Sequence, residues 1–257
     1  MHSFGITENY FIFEEAPLAM NVLRLMAPPI LVPTLADSLV YDKKETTIFR
    51  IVSRATGEEV DTKYFADGFF GFHFTNCYEI DGCIVIDIVA NNNDIISTLR
   101  MDNLKGNLKK PHKPSDSTPR RYVLPMRDIK KAKRGVNLVE GISDASISGG
   151  SYRSDATAIL DDRKRVKLVP AIFADINMEL PRINYNYNMK PYCYSYGVEF
   201  GQAKSPNSYG IVKVNMKTGE TNIWKDDEYF TSEPVFVADP DAKKEDDGVI
   251  LSILLHK

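Results

Sequence analysis

Cysteine is scarce in this chain of 257 residues: Cys77, Cys83 and Cys193 are all there is. The number is odd and no Cys-x-x-Cys pair occurs. This argues against a disulfide framework or a zinc site and fits a reducing compartment. No run approaches the about eighteen consecutive apolar residues of a spanning helix. The first residues lack the basic-then-apolar order of a signal peptide, so a cytoplasmic location is expected. Positive charge is not in excess. Thirty-two Lys and Arg face 35 Asp and Glu, a net charge of -3, which argues against a general nucleic-acid binder. The Gly/Ser-rich stretch "GISDASISGGSYRSDATA" contains no Gly-Lys-Ser/Thr, so it does not support a phosphate loop.

Aromatic residues, by contrast, are plentiful, with 13 Tyr and 13 Phe, and helix-favouring runs are few. That composition leans toward β structure. Two stretches repeat one another: "TTIFRIVSRATGEEVDTKYF" and "YGIVKVNMKTGETNIWKDDEYF". In each, an alternating strand enters Thr-Gly-Glu and a second strand leaves. Gly57 and Gly219 are expected at the positive-φ position of a hairpin turn, where a Cβ is costly. The likeness continues through "GFHFTNCYEIDGCIVIDIV" and "SEPVFVADPDAKKEDDGVILSIL", each a strand, an acidic loop, Asp-Gly and an apolar strand. Self-similar four-strand units predict the blades of a propeller, at least three of them and a possible fourth. An open array of blades leaves edges and apolar faces uncovered.

Two segments interrupt this pattern. "PLAMNVLRLMAPPILV", from Pro17 to Val32, is apolar except for Asn21 and Arg24. A helical turn or two would bring Leu18, Val22, Leu25 and Met26 to one face, with Pro28 and Pro29 ending it. Such a turn either packs on the core or dips into a bilayer. "KGNLKKPHKPSDSTPRR", residues 105 to 121, reads as a solvated basic loop, with contact to an anionic partner as the alternative.

Four histidines are present. His112 lies in the basic loop, and His256 follows the last apolar strand and is left without a role. His2 and His73 lie in or next to strands and are flanked by Phe4, Phe72 and Phe74. A buried imidazole needs partners. A backbone carbonyl would satisfy a core histidine. Glu179 in "MELPRINY" and Glu233 in "SEPVFV" offer a second reading, because carboxylates are rarely set at the start of inner strands without a partner. Inner strands converge on a propeller axis. Imidazoles there could bind a metal, each oriented by a carboxylate on its other nitrogen.

The stretches "HSFGITENYFIFEE", "FHFTNCYEIDG", "RRYVLP", "ATAIL", "ELPRINY", "PYCYSYG" and "SEPVFVADPDAKKEDDGVILS" together resemble the carotenoid cleavage oxygenase family, in its animal group of β-carotene oxygenases and retinoid isomerases. They run through nearly the whole chain in family order. The resemblance implies an all-β, seven-bladed propeller with a helical and loop cap, of which this chain holds about half the blades as a single partial domain, residues 1–257, truncated at both ends. It implies Fe(II) on the axis held by four histidines. His2 and His73 match two of them. Glu179 matches the carboxylate behind His73, and Glu233 the carboxylate behind a ligand that this chain does not contain. His256 matches no ligand.

The implied reaction is oxidative cleavage of a polyene double bond by O2, on a carotenoid or apocarotenoid delivered through an apolar tunnel. The alternatives are a retinoid isomerase-like enzyme and an inactive fragment serving as an interaction module. Phe72 and Phe74 are candidate tunnel residues. Asn91 falls where isomerases of the family carry an aromatic pocket residue, which favours cleavage. The segment with Leu23, Leu25 and Met26 corresponds to the family's membrane-facing entrance, so peripheral membrane contact is expected. Met1 then reads as an internal residue ahead of the "HSFG" strand.

Overall fold

The computed structural model describes residues 2–26, 38–42, 44–92, 117–127, 129–149, 152–174, 176–200 and 209–256. Strands dominate these residues, in keeping with the aromatic-rich, helix-poor composition. Three antiparallel meanders follow one another. The first runs Gly5–Ile6, Tyr10–Glu15, Thr46–Ser53, Tyr64–Asp67. The second runs Phe70–Ile80, Cys83–Asn91, Ser117–Pro125, Ala171–Ile172. The third runs Met178–Ile183, Tyr194–Phe200, Tyr209–Asn215, Thr221–Lys225. A fourth unit begins with Val235–Ala238 paired to Gly248–Leu251.

The first strands of successive units touch in turn. Gly5–Ile6 lies on Phe70–Ile80, that strand on Met178–Ile183, and that one on Val235–Ala238. Innermost strands set side by side are the arrangement of blades about an axis. Among the described residues the arc holds three units and the start of a fourth.

The repeated hairpins close in the same way. Gly57 N–H donates to Ser53 O at 2.8 Å and Ser53 N–H to Glu58 O at 2.9 Å. Gly219 N–H donates to Asn215 O and Asn215 N–H to Glu220 O, both at 2.8 Å. The two glycines have φ of 74° and 76°, a region that residues with a Cβ rarely occupy. Alternation sets the buried face. Thr47, Phe49 and Ile51 point inward on one strand, and Gly210, Val212 and Val214 on another. Cys83–Asn91 is buried at every position, as a strand covered on both faces must be.

Three features depart from the sequence reading. The first sheet has six strands, because Val166–Val169 pairs in parallel with Tyr64–Asp67 and carries Thr157–Leu160 on its other side. The helix is one turn, Val22–Leu25, capped by Asn21 Oδ1, which accepts Arg24 N–H at 3.1 Å. Leu18 lies instead on a short strand, Leu18–Met20, paired with Leu39–Tyr41. None of the helix residues is buried, so the turn does not pack on the core. Pro28 and Pro29 fall outside the described residues. The end of the basic segment is not the solvated loop expected. Ser117–Pro125 is a strand, and Arg121 within it is wholly buried. His112 lies outside the described residues.

Arg121 sits at the centre of a polar network between the second and third sheets. Its Nε and Nη2 donate to the two oxygens of Asp87 at 2.8 and 2.7 Å. Tyr192 Oη donates to the same carboxylate at 2.7 Å. Arg121 Nη1 donates to Asp144 O at 3.4 Å, and the Asp144 carboxylate accepts from Tyr78 Oη at 2.8 Å and Lys217 Nζ at 2.6 Å. Burial opposes the charge on Arg121. The Asp87 carboxylate more than offsets it, so the guanidinium stays charged. Breaking a buried, hydrogen-bonded pair from one side leaves an uncompensated charge. Arg121→Met is expected to destabilise the protein by about 3–5 kcal/mol, measurable by urea denaturation.

Glu14 is a different kind of buried carboxyl. It is 7% exposed, on the core face of Tyr10–Glu15, and its Oε1 has no hydrogen-bond partner. Burial pushes its pKa from 4.5 up to about 8, although the Gly71 amide offsets part of the shift. Above pH 4.5 the unfolded chain ionises at this position while the folded chain keeps its proton, so rising pH disfavours folding until about pH 8. Thermal melts are expected to show wild type losing stability between pH 5 and 8.5. Glu14→Gln should flatten that slope and be the more stable protein at the alkaline end.

Candidate metal centre and its cavity

His2 lies just ahead of the inner strand Gly5–Ile6, and His73 lies on the neighbouring inner strand, Phe70–Ile80. Ser3 joins those strands. Its Oγ donates to Phe72 O at 2.7 Å and accepts Phe74 N–H at 3.0 Å, bracketing His73. Gly5 permits the close approach, since a Cβ there would fall 2.5 Å from Cys77 Sγ and 3.1 Å from the Phe74 ring. The pairing of Phe70–Ile80 shifts register between Gly71 and Phe74 and again between Phe74 and Asn76. The irregular stretch re-aims His73. The two imidazoles meet edge to face, with centroids 4.8 Å apart.

Glu179 comes from the next inner strand, 106 residues further along the chain, and places Oε2 2.7 Å from His73 Nδ1. A bulge between Glu179 and Arg182 makes this possible. Leu180 within it has φ of +55°, a left-handed conformation costly for a residue with a Cβ. Its N–H donates to Glu179 Oε2 at 2.9 Å, so the oxygen that meets His73 also holds the bulge. With Nδ1 turned to a carboxylate, Nε2 is the nitrogen of His73 left to bind a metal.

Both histidines line a cavity of about 530 Å³, with Phe74, Leu180, Arg182 and Glu233 among its walls. The described walls are not those of an apolar tunnel, because Asn76, Asn188 and an ion pair contribute to them. That pair is Arg182 Nε with Glu233 Oε1 at 2.7 Å. Glu233 thus faces the cavity with its charge met by arginine. Phe72 does not line the cavity. Its ring packs on His2 at 5.6 Å and on Phe70 at 4.7 Å. Asn91 does not line it either. It is buried behind Glu179, with Nδ2 3.3 Å from Glu179 Oε1. His256 lies on an exposed strand against Tyr229, away from the histidine pair. Sequence reasoning missed Ser3, Leu180 and Arg182. Only their places beside His2, Glu179 and Pro181 could have marked them.

Two imidazoles with one carboxylate behind them suit a metal that prefers nitrogen donors. They are a partial set: among the described residues, no group of three or more His, Cys, Asp or Glu is gathered to hold an ion.

The family model described as "Retinal pigment epithelial membrane protein" matches residues 1–257. The chain belongs to this family of carotenoid oxygenases. It is 35% identical to human beta,beta-carotene 15,15'-dioxygenase over 99% of its own length and 44% of the relative's. Against the chicken (Gallus gallus) protein of that name it is 36% identical, covering 99% of itself and 46% of the relative. Human carotenoid-cleaving dioxygenase, mitochondrial, is 31% identical, over 99% of this chain and 44% of that one. The chain therefore spans a little under half the length of these curated relatives.

Solved structures of the family share the fold. A cobalt-substituted Synechocystis ACO superposes with a TM-score of 0.69 at 18% identity, covering 98% of this chain and 44% of that one. An ACO/RPE65 chimera gives a TM-score of 0.67 at 20% identity over the same shares. The arc of inner-strand-first meanders is thus part of a carotenoid oxygenase propeller.

Proposed function

We propose that this chain forms part of the active site of an Fe(II)-dependent oxygenase that cleaves a conjugated double bond of a carotenoid or apocarotenoid with O2, giving aldehyde or ketone products. The supporting observation is the His2–His73 pair over one cavity, with Glu179 on the far nitrogen of His73. Fe(II), when bound, supplies open coordination positions for O2 and the electrons that activate it. His73 would hold the ion through Nε2, and His2 through one of its ring nitrogens. Glu179 accepts the Nδ1 proton of His73, fixes the tautomer and raises the basicity of the opposite nitrogen. Arg182 neutralises Glu233 at the cavity wall and keeps that carboxylate from presenting a bare charge there.

Cleavage is preferred to isomerisation because the three relatives described above are named as dioxygenases. Asn91 carries no weight in that choice, because it faces Glu179 and not the cavity.

Glu179→Gln replaces the acceptor of the His73 proton. It is expected to weaken iron retention about tenfold, measured as iron per chain after reconstitution and desalting. The wild-type chain of 257 residues is expected to hold less than one iron per chain. Iron retention equal in Glu179→Gln and wild type would count against the site.

A second reading concerns the helical turn. Leu23 and Met26 are 84% and 79% exposed, and Met20, Val22, Leu25 and Val40 add to the same apolar surface. No helix among the described residues is long and apolar enough to cross a membrane. We propose that this surface rests on a bilayer from the cytoplasmic side and receives the lipophilic substrate there. Liposome flotation is expected to carry wild type upward and to leave Leu25→Asp/Met26→Asp in the bottom fraction. Equal flotation of both would refute membrane contact through this patch.

A further inference from the structure

The carboxylate of Glu179 is held from three directions, and only one of them is His73. Oε2 meets His73 Nδ1 and the Leu180 N–H. Oε1 meets Asn91 Nδ2 at 3.3 Å. A carboxylate can only accept, so the Asn91 amide must present its NH2 group to Glu179 and its oxygen to the opposite side. On that side stands Ser117, whose hydroxyl donates to Asn91 Oδ1. Ser117 is tied down in turn, with its backbone N–H donating to Asn177 Oδ1 at 3.2 Å. Glu179, Asn91 and Ser117 are 3%, 1% and 0% exposed, so no bulk water competes for these groups. The chain of donors has one consistent direction, from Ser117 to Asn91 to Glu179. Asn91 and Ser117 occupy paired positions on neighbouring strands of the second sheet, so the backbone ladder fixes their distance.

We infer that Asn91 is a positioning residue: it locks the Glu179 carboxylate so that His73 carries its proton on Nδ1 and keeps the Nε2 lone pair free. The use of that lone pair for a metal rests on the function proposed above. The locking itself is a property of the metal-free chain and can be tested without metal. An apolar side chain at position 91 would leave Oε1 of Glu179 without this donor and the Ser117 hydroxyl without this acceptor, in a place that water does not readily fill.

The test is the tautomer of His73 in the metal-free chain of 257 residues, labelled with 15N-histidine and observed near pH 8 by the two side-chain nitrogen shifts. Wild type is expected to give a single tautomer protonated on Nδ1. Asn91→Leu should move both nitrogens toward the averaged values of exchanging tautomers. Ser117→Ala, which removes the donor to Asn91 Oδ1, should move them the same way by less. His256, remote and exposed, should stay where it is in every variant.

Wild-type shifts retained in Asn91→Leu, with Glu179→Gln shifting them, would overturn the inference and leave Asn91 as a space-filling residue. A mixed tautomer in wild type would overturn it as well. If Asn91→Leu fails to fold, Ser117→Ala decides, and unchanged His73 shifts there refute the locking. A parallel Co(II) titration is expected to find Asn91→Leu weakened about tenfold, with no further loss when it is combined with Glu179→Gln. Additive losses in the double variant would contradict action through Glu179. Absence of Co(II) binding in wild type would overturn the metal reading alone, with the tautomer still judging Asn91.

Discussion

The buried pair of Asp87 and Arg121 spans neighbouring strands of the second sheet and is the anchor to which the third sheet is tied. Each blade of an arc has two faces to cover, and its neighbour must meet it in register. Apolar packing alone is indifferent to small slides. A carboxylate held through both oxygens by a guanidinium, and reached by the Tyr192 hydroxyl from beside the third sheet, is not. Tyr192 and the Lys217–Asp144 pair extend that grip into the third sheet, and Tyr78 brings in the innermost strand of the second. His73 lies on that same innermost strand, and Glu179 on the innermost strand of the third sheet. The 2.7 Å contact between them depends on how those two sheets are docked.

Much of the architecture was legible in the sequence because it is written in local chemistry. Thr-Gly-Glu demands a positive φ at Gly57 and Gly219, and the flanking alternation settles which face is buried. The repeat of that unit gave the blades. What escaped was decided over long distances. No local signal marks Val166–Val169 as a parallel partner of Tyr64–Asp67. The apolar run Pro17 to Val32 read equally as a packed or a membrane-dipping helix, because an apolar composition does not say whether there is anything to pack against. Arg121 sits in a basic, proline-rich stretch that looked solvated, and only the strand it belongs to reveals that it is buried.

The site divides along the same line. His2, His73 and Glu179 were named from their motifs, and the fold brings the three together. Glu233 was named too, but its companion in the structure is Arg182. Asn91 was given to the substrate path and is found behind the carboxylate instead. A residue at the end of a strand can face either way, and the bulges around His73 and Leu180 rotate the neighbourhood in a manner that simple alternation does not encode.

The parallel pairing in the first sheet also bears on how the protein is made. Tyr64–Asp67 would emerge from a ribosome long before Val166–Val169, its neighbour on the outer side. Until then the edge of that strand is open, with backbone donors and acceptors that any other extended chain could satisfy. The whole second sheet but for its last short strand is synthesised in the interval. This blade is therefore finished only after most of the next one has been made, and the nascent chain carries an unpaired edge from Asp67 until Val166 is added.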